Sequence, residues 1–130
     1  MGAWLAVGLG SALGAVARFA LSVWMIDALG YGFPWWTLAV NGLGAALIGV
    51  FAEVTRPPGP LNLGPHGRPF LLTGFCGGFT TFSIFSLETL LAWQEGAPSM
   101  ALTYVAASLV VWIAAVLAGV ALGRRLTPSD

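Results

Sequence analysis

The chain has no lysine, a single cysteine, and charged groups at only 8% of its 130 positions. Each scarcity removes a class of function. Five basic residues, all arginine, balance five acidic ones, so the formal net charge is zero. A basic surface that neutralises phosphates is therefore missing, and no nucleic-acid partner is expected. The lone cysteine, Cys76, excludes an intrachain disulfide. It forms no ligand cluster with His66, the only histidine, so a transition-metal site is not expected. Soluble domains carry charge on about a quarter of their residues, which this chain does not approach. No positive segment precedes the first apolar run, so a cleaved signal peptide is not expected. Gly2 does not suit myristoylation, because Ala6 stands where that signal wants Ser or Thr.

What is present is apolar: 58% of the residues are hydrophobic. About 20 helical residues cross a hydrocarbon core roughly 30 Å thick. Four stretches reach that length: about Ala3 to Ile26, Trp35 to Glu53, Phe70 to Trp93, and Met100 to Leu122. Asp27 and the segment Gly30-Tyr31-Gly32 close the first. Pro34 and the interfacial pair Trp35 and Trp36 open the second. Thr55 to Pro69 reads as a loop, with five prolines and three glycines. The expected architecture is an all-α membrane protein of four transmembrane helices in one domain, residues 1–130, with no soluble appendage. Glycines spaced by four, Gly10 with Gly14 and Gly119 with Gly123, suit close helix approach in lipid or fall there by chance. Four such spans enclose little, so a pore needs a second subunit, most simply a two-fold homodimer. Arg56, Arg68, Arg124 and Arg125 fall on one side and no basic residue on the other, which predicts both termini inside.

The third span is the unusual one. Gly77 to Glu88 reads GGFTTFSIFSLE, with four hydroxyls and a carboxylate where a membrane helix is normally apolar. Unpaired polar groups cost several kcal/mol each in hydrocarbon, so they must face protein or a cavity. Adjacent Gly77 and Gly78 make a helix break cheap, and a broken helix frees backbone groups that hold ions. The third helix is thus expected to be broken near its middle. Other deep polar groups accompany it. Arg18 either snorkels and pairs with carbonyls or sets a fixed cation near an anion path. Asn41, in LAVNGLG, either bonds another helix or donates to a permeating ligand, and Thr37 shares its face. Glu88 is a functional carboxylate or a helix-end group facing solvent. Tyr104 and Ser108 share a face of the fourth span, where hydroxyls often bond back to their own helix. Neutral amides and hydroxyls with one arginine suit a small hydrated anion better than a cation. Phe82 and Phe85, three apart, present positive ring edges to such an anion or simply pack.

The run GGFTTFSIFS preceded by LLTGFC, with LGAVARF in the first span and LAVNGLG in the second, resembles the signature of the Fluc family of fluoride channels (CrcB-like proteins). The likeness covers the whole chain. It implies passive fluoride export across a bacterial cytoplasmic membrane, with no enzymatic step, by an antiparallel dual-topology dimer with two pores. It also implies a structural sodium ion held at the dimer centre by backbone carbonyls of Gly77 and Thr80 from both subunits. Phe82 and Phe85 match pore-lining rings, Asn41 a pore asparagine, and Arg18 a first-helix arginine. Thr37, Ser83 and Glu88 match a polar track, with Tyr104 and Ser108 as wall residues. Two departures stand out. Ile84 replaces a threonine common in the TTFSTFS pattern, removing one hydroxyl from that track. The arginine bias also runs against dual topology, which leaves a heterodimer beside the homodimer. Two other classes compete. A small multidrug-type proton-coupled transporter needs a first-span carboxylate, and none lies between Met1 and Ile26. A membrane scaffold leaves the hydroxyl-rich third span unexplained.

Overall fold

The computed structural model describes residues 2–57 and 59–127, and every regular element among them is helical. Helix α1 runs Ala3–Leu29 and α2 runs Trp35–Val54. The third span is assembled from α3 (Gly64–Pro69), a π-helical segment (Phe70–Cys76), α4 (Gly77–Phe79) and α5 (Phe82–Gln94). Helix α6 runs Pro98–Leu126. Four helical stretches are long and apolar enough to cross a membrane, which makes this a multi-pass membrane protein. At 27 and 29 residues, α1 and α6 measure about 40 Å, longer than the hydrocarbon core, and so tilt or project.

Local chemistry sets the helix ends. Gly30 closes α1 at φ 75°, a backbone angle that side chains other than glycine rarely adopt, and its N–H reaches the Ile26 carbonyl at 2.8 Å. Pro98 opens α6, where a missing N–H costs nothing. The loop expected up to Pro69 is shorter than that, because Gly64–Pro69 already turns as helix with Pro65 in its first turn.

Packing proceeds through two glycine seams. Added Cβ atoms at Gly10 and Gly14 would strike the backbone of Phe70, Phe75 and Phe79, and those at Gly74 and Gly78 the backbone of Val7 and Ser11. Helix α1 and the first half of the third span therefore touch backbone to backbone, the contact that small residues permit in lipid. The second seam joins α2 to α6: Gly49 faces Val116 and Val120, and Gly119 faces Ala46. At the end of this seam Glu53 is buried and paired with Arg56 at 3.1 Å and Arg124 at 3.5 Å. Two of the four arginines counted on that side are thus bound by a carboxylate of their own chain.

Candidate functional site

Two residues in the third span leave helical geometry. Thr80 (φ −83°, ψ 161°) and Thr81 (φ −147°, ψ 121°) are extended and stand between α4 and α5. Their hydrogen bonds show where the helical ladder is diverted. In a continuous helix the Thr81 N–H would bond the Gly77 carbonyl and the Ile84 N–H the Thr80 carbonyl. Here the Thr81 N–H donates to Asn41 Oδ1 at 2.7 Å, and the Ile84 N–H donates to Thr81 Oγ1 at 3.3 Å. Thr81 is therefore the N-cap of α5. The carbonyls of Gly77 and Thr80 are released from their usual partners.

Asn41 completes the arrangement from α2. Its Nδ2 donates to the Thr81 carbonyl at 2.8 Å, so amide and peptide bond each other in both directions. One of its two N–H groups is used this way. A Cβ at Gly44, one turn further along α2, would overlap Thr80 Cγ2 and approach Phe79 Cδ1 at 3.3 Å. The LAVNGLG segment thus supplies both the amide that holds the extended pair and the space beside it. Arg18 Nη1 donates to the Thr80 carbonyl at 3.3 Å, which places a guanidinium on the peptide between the threonines. Ser83 Oγ lies 3.3 Å from Thr81 Oγ1. Thr80 Oγ1 is turned back onto the Cys76 carbonyl at 2.9 Å.

A second cluster sits further along α5. Thr37 Oγ1 donates to Glu88 Oε1 at 2.9 Å, and the Tyr104 hydroxyl donates to Glu88 Oε2 at 2.7 Å. Three helices meet at this carboxylate. Both hydroxyls belong to fully buried residues, so the half-buried Glu88 carboxylate is a satisfied acceptor rather than an unpartnered helix-end group. Ser108 Oγ, one turn beyond Tyr104, is buried with no hydrogen-bond partner among the described residues. It does not bond back to its own helix, unlike Ser86, Thr89 and Thr127.

Phe85 lies on α5 between Thr81 and Glu88 in sequence. Its ring is buried against Tyr104 at 5.1 Å, Phe82 at 5.6 Å and Trp112 at 4.9 Å, the last edge-on at 70°. A cavity of about 530 Å³ is lined by Asn41, Gly77, Thr80, Thr81, Phe82 and Trp112. A second, of about 410 Å³, is lined by Glu88, Tyr104, Phe33, Trp36 and Glu95. Phe82 itself is 73% exposed on the protomer surface.

Asn41, Arg18, Ser83 and Phe82 are thus gathered around the extended pair Thr80 and Thr81, and Thr37 and Tyr104 around the Glu88 carboxylate. Gly77 borders the first cavity but makes no side-chain contact, and Ser108 bonds to neither group. Sequence reasoning missed Trp112 and Gly44. Trp112 was signalled by its spacing, four residues from Ser108 and eight from Tyr104 on one face of α6. Gly44 follows Asn41 by one turn, but nothing in its spacing named the threonine it accommodates.

The donor set also bears on a cation. A carbonyl has two lone pairs, so Thr80 can serve Arg18 and a further ligand. Gly77 has its carbonyl freed and open space beside its Cα. Neutral oxygen donors of this kind suit a hard cation.

Comparison with known proteins extends the geometry. Residues 5–120 match the family model described as CrcB-like protein, Camphor Resistance (CrcB). The chain is 48% identical over 120 residues to a fluoride-specific ion channel FluC of Agrobacterium fabrum, covering 92% of this chain and 94% of that protein. It is 47% identical over 119 residues to a fluoride-specific ion channel FluC of Opitutus terrae, covering 92% and 90%. A similar protein of Saccharophagus degradans, with the same name, is 46% identical over 124 residues, covering 95% and 90%. With both the family model and these relatives matched along nearly its whole length, this four-span chain belongs to the CrcB-like family.

Proposed function

We propose that this protein is a fluoride channel of the bacterial cytoplasmic membrane, conducting the anion passively out of the cell. The observation that carries the reading is the gathering of Asn41, Arg18 and Ser83 at the extended Thr80–Thr81 pair, beside a largely apolar cavity that Asn41, Thr80 and Thr81 line with no carboxylate among its lining residues. A dehydrated fluoride needs N–H and O–H groups in place of water, as carbonyls replace water around potassium. The second N–H of Asn41 and the hydroxyls of Thr81, Ser83 and the unpartnered Ser108 are such groups. Ring edges of Phe82 and Phe85 add partial positive charge along the path. Further along α5, Thr37 and Tyr104 hold their protons on Glu88, and turning either hydroxyl toward an anion costs one of those bonds. Export needs no chemical step, because fluoride enters as the neutral acid and ionises at cytoplasmic pH.

The assembly belongs to the same proposal. The third span acts as a broken helix, and two copies cross there in antiparallel orientation to form two pores. Gly77 supports this: its angles (φ −64°, ψ −38°) suit any residue, and its own chain leaves a Cβ free space. A glycine there is explained by a close neighbour from outside the chain, namely a second copy and the cation between them. Carbonyls of Gly77 and Thr80 would hold that sodium ion, whose fixed charge favours an anion nearby. A homodimer accounts for these features with this chain alone. A partner of opposite arginine bias is the other arrangement consistent with Arg56, Arg68, Arg124 and Arg125.

Purified protein in liposomes tests the function. Fluoride efflux that needs no proton gradient, with chloride excluded, is the expected result. Proton-coupled movement of a cationic drug would favour the multidrug-type transporter, and no flux of either kind would favour a scaffold. Phe82→Ile and Phe85→Ile should each lower efflux about tenfold, the scale of one lost aromatic contact at the path. Phe85→Ile should also lower thermal stability, because it alone of the two is buried; equal efflux to wild type in both variants would remove the ring-edge role. Exchanging sodium for N-methylglucamine throughout purification should dissociate the dimer or silence it. Size-exclusion profile and efflux read this directly, and indifference of both would remove the central ion.

A further inference from the structure

We infer that Trp112 is a positioning residue for the conduction path, holding the Phe85 ring at the angle that presents its edge, an inference that rests on the fluoride reading above. Four observations place it there. It lies four residues beyond Ser108 and eight beyond Tyr104, on the face of α6 that meets α5. Its indole lines the same cavity as Asn41, Thr80, Thr81 and Phe82. Its ring meets Phe85 at 4.9 Å and 70°, and Tyr104 contacts the same phenyl ring at 5.1 Å. Its Nε1–H donates to the Leu38 carbonyl at 3.3 Å, between Thr37 and Asn41 on α2.

The consequence is electrostatic. A phenyl ring is negative on its face and positive at its edge, so turning Phe85 by a quarter revolution reverses its effect on an anion. An isolated phenylalanine has a broad, two-fold second torsion and does not fix that angle. Trp112 and Tyr104 both contact the ring and restrict that torsion. The indole is itself pinned, because its only donor is engaged by α2. That engagement also rules out Trp112 as an anion ligand in this arrangement, so it acts through Phe85. It further links the helix carrying Asn41 and Thr37 to Phe85 through the indole.

The test uses full-length protein in liposomes, with Trp112→Leu and Trp112→Phe made both alone and in Phe85→Ile. Efflux of fluoride and the fluoride-over-chloride reversal potential are measured. Separately, the ring of Phe85 carries a meta-fluorine label, off the ring's rotation axis, whose resonance reports its setting. Trp112→Leu should lower fluoride efflux about tenfold and shift the reversal potential toward chloride permeability, the scale of one aromatic pair. Trp112→Phe, which restores a ring without the N–H, should recover discrimination in large part. In the Phe85→Ile background Trp112→Leu should change nothing further, and in otherwise native protein it should displace or broaden the label's resonance. Unchanged efflux and discrimination in Trp112→Leu overturn the inference. So does an equal loss with and without Phe85, and so does an unmoved resonance. If Trp112→Leu does not fold, recovery of discrimination by Trp112→Phe must still be seen, and its failure counts against the role. A wild-type protein without fluoride efflux overturns the conduction reading and the role in conduction with it; the resonance then decides separately whether Trp112 sets the ring.

Discussion

Asn41→Asp is expected to abolish fluoride efflux while leaving a membrane-inserted protein. The wild-type amide uses Oδ1 to accept from the Thr81 N–H at 2.7 Å and Nδ2 to donate to the Thr81 carbonyl at 2.8 Å. An aspartate keeps the first bond and places a second oxygen against that carbonyl. Losing a buried hydrogen bond costs about 1–3 kcal/mol, and more when the group left behind is charged. A carboxylate also sets a negative charge beside the cavity through which an anion is proposed to pass. A charge pair at 4 Å is worth about 4 kcal/mol even at an effective dielectric of 20, so a fall of at least about a hundredfold is expected. Asn41→Ala should fall less far, since it removes the donor without adding charge. Efflux from liposomes at equal protein content measures both, and wild-type efflux in Asn41→Asp would discard Asn41 as a pore donor.

The neighbouring glycines Gly77 and Gly78 should give opposite results. A Cβ at Gly78 would meet the carbonyl oxygen, Cα and carbonyl carbon of Ser11, all backbone atoms that cannot swing aside. Overpacking costs about 1–3 kcal/mol where side chains can adjust, and Gly78→Val allows no such adjustment. Loss of monodisperse protein on size exclusion is the expected outcome, and a melting temperature equal to wild type would contradict the seam. Gly77→Ala meets nothing in its own chain. The variant should fold, yet run as a monomer, because in the proposed assembly the added methyl group would collide with the second copy and the ion between them. A Gly77→Ala protein that remains dimeric and conducting would remove the glycine argument for the two-fold contact.

How far such features are legible in sequence depends on whether they lie on one helix or between helices. Four spans follow from apolar length alone, since few other structures tolerate 20 such residues in a row. The polar run from Gly77 to Glu88 marks its own site because each hydroxyl demands a partner in lipid. Gly10 and Gly14 announce a close approach through their spacing of four. What they approach, Gly74 and Gly78, has the same spacing, but no rule of periodicity pairs one helix with another. The same limit hides the meeting of Thr37, Glu88 and Tyr104, which come from three helices. It also hides the pairing of Glu53 with Arg124, so the arginine count reads larger in the sequence than in the fold. Gly64–Pro69 escaped as a helix because proline in a first turn and proline in a loop look alike without the backbone. Ile84 offers a last instance. Its side chain leaves one hydroxyl out of the polar track, while its backbone N–H, which any residue would supply, donates to Thr81 Oγ1.

The central claim is that amides, hydroxyls and ring edges replace the water of a fluoride ion beside a cation shared by two copies. A density map of the purified protein in sodium fluoride tests it most directly. Antiparallel protomers are expected, with density on the two-fold axis among the Gly77 and Thr80 carbonyls and further density near Asn41 and Phe82. Parallel protomers with nothing on the axis, and a third helix continuous through Thr80 and Thr81, would contradict it.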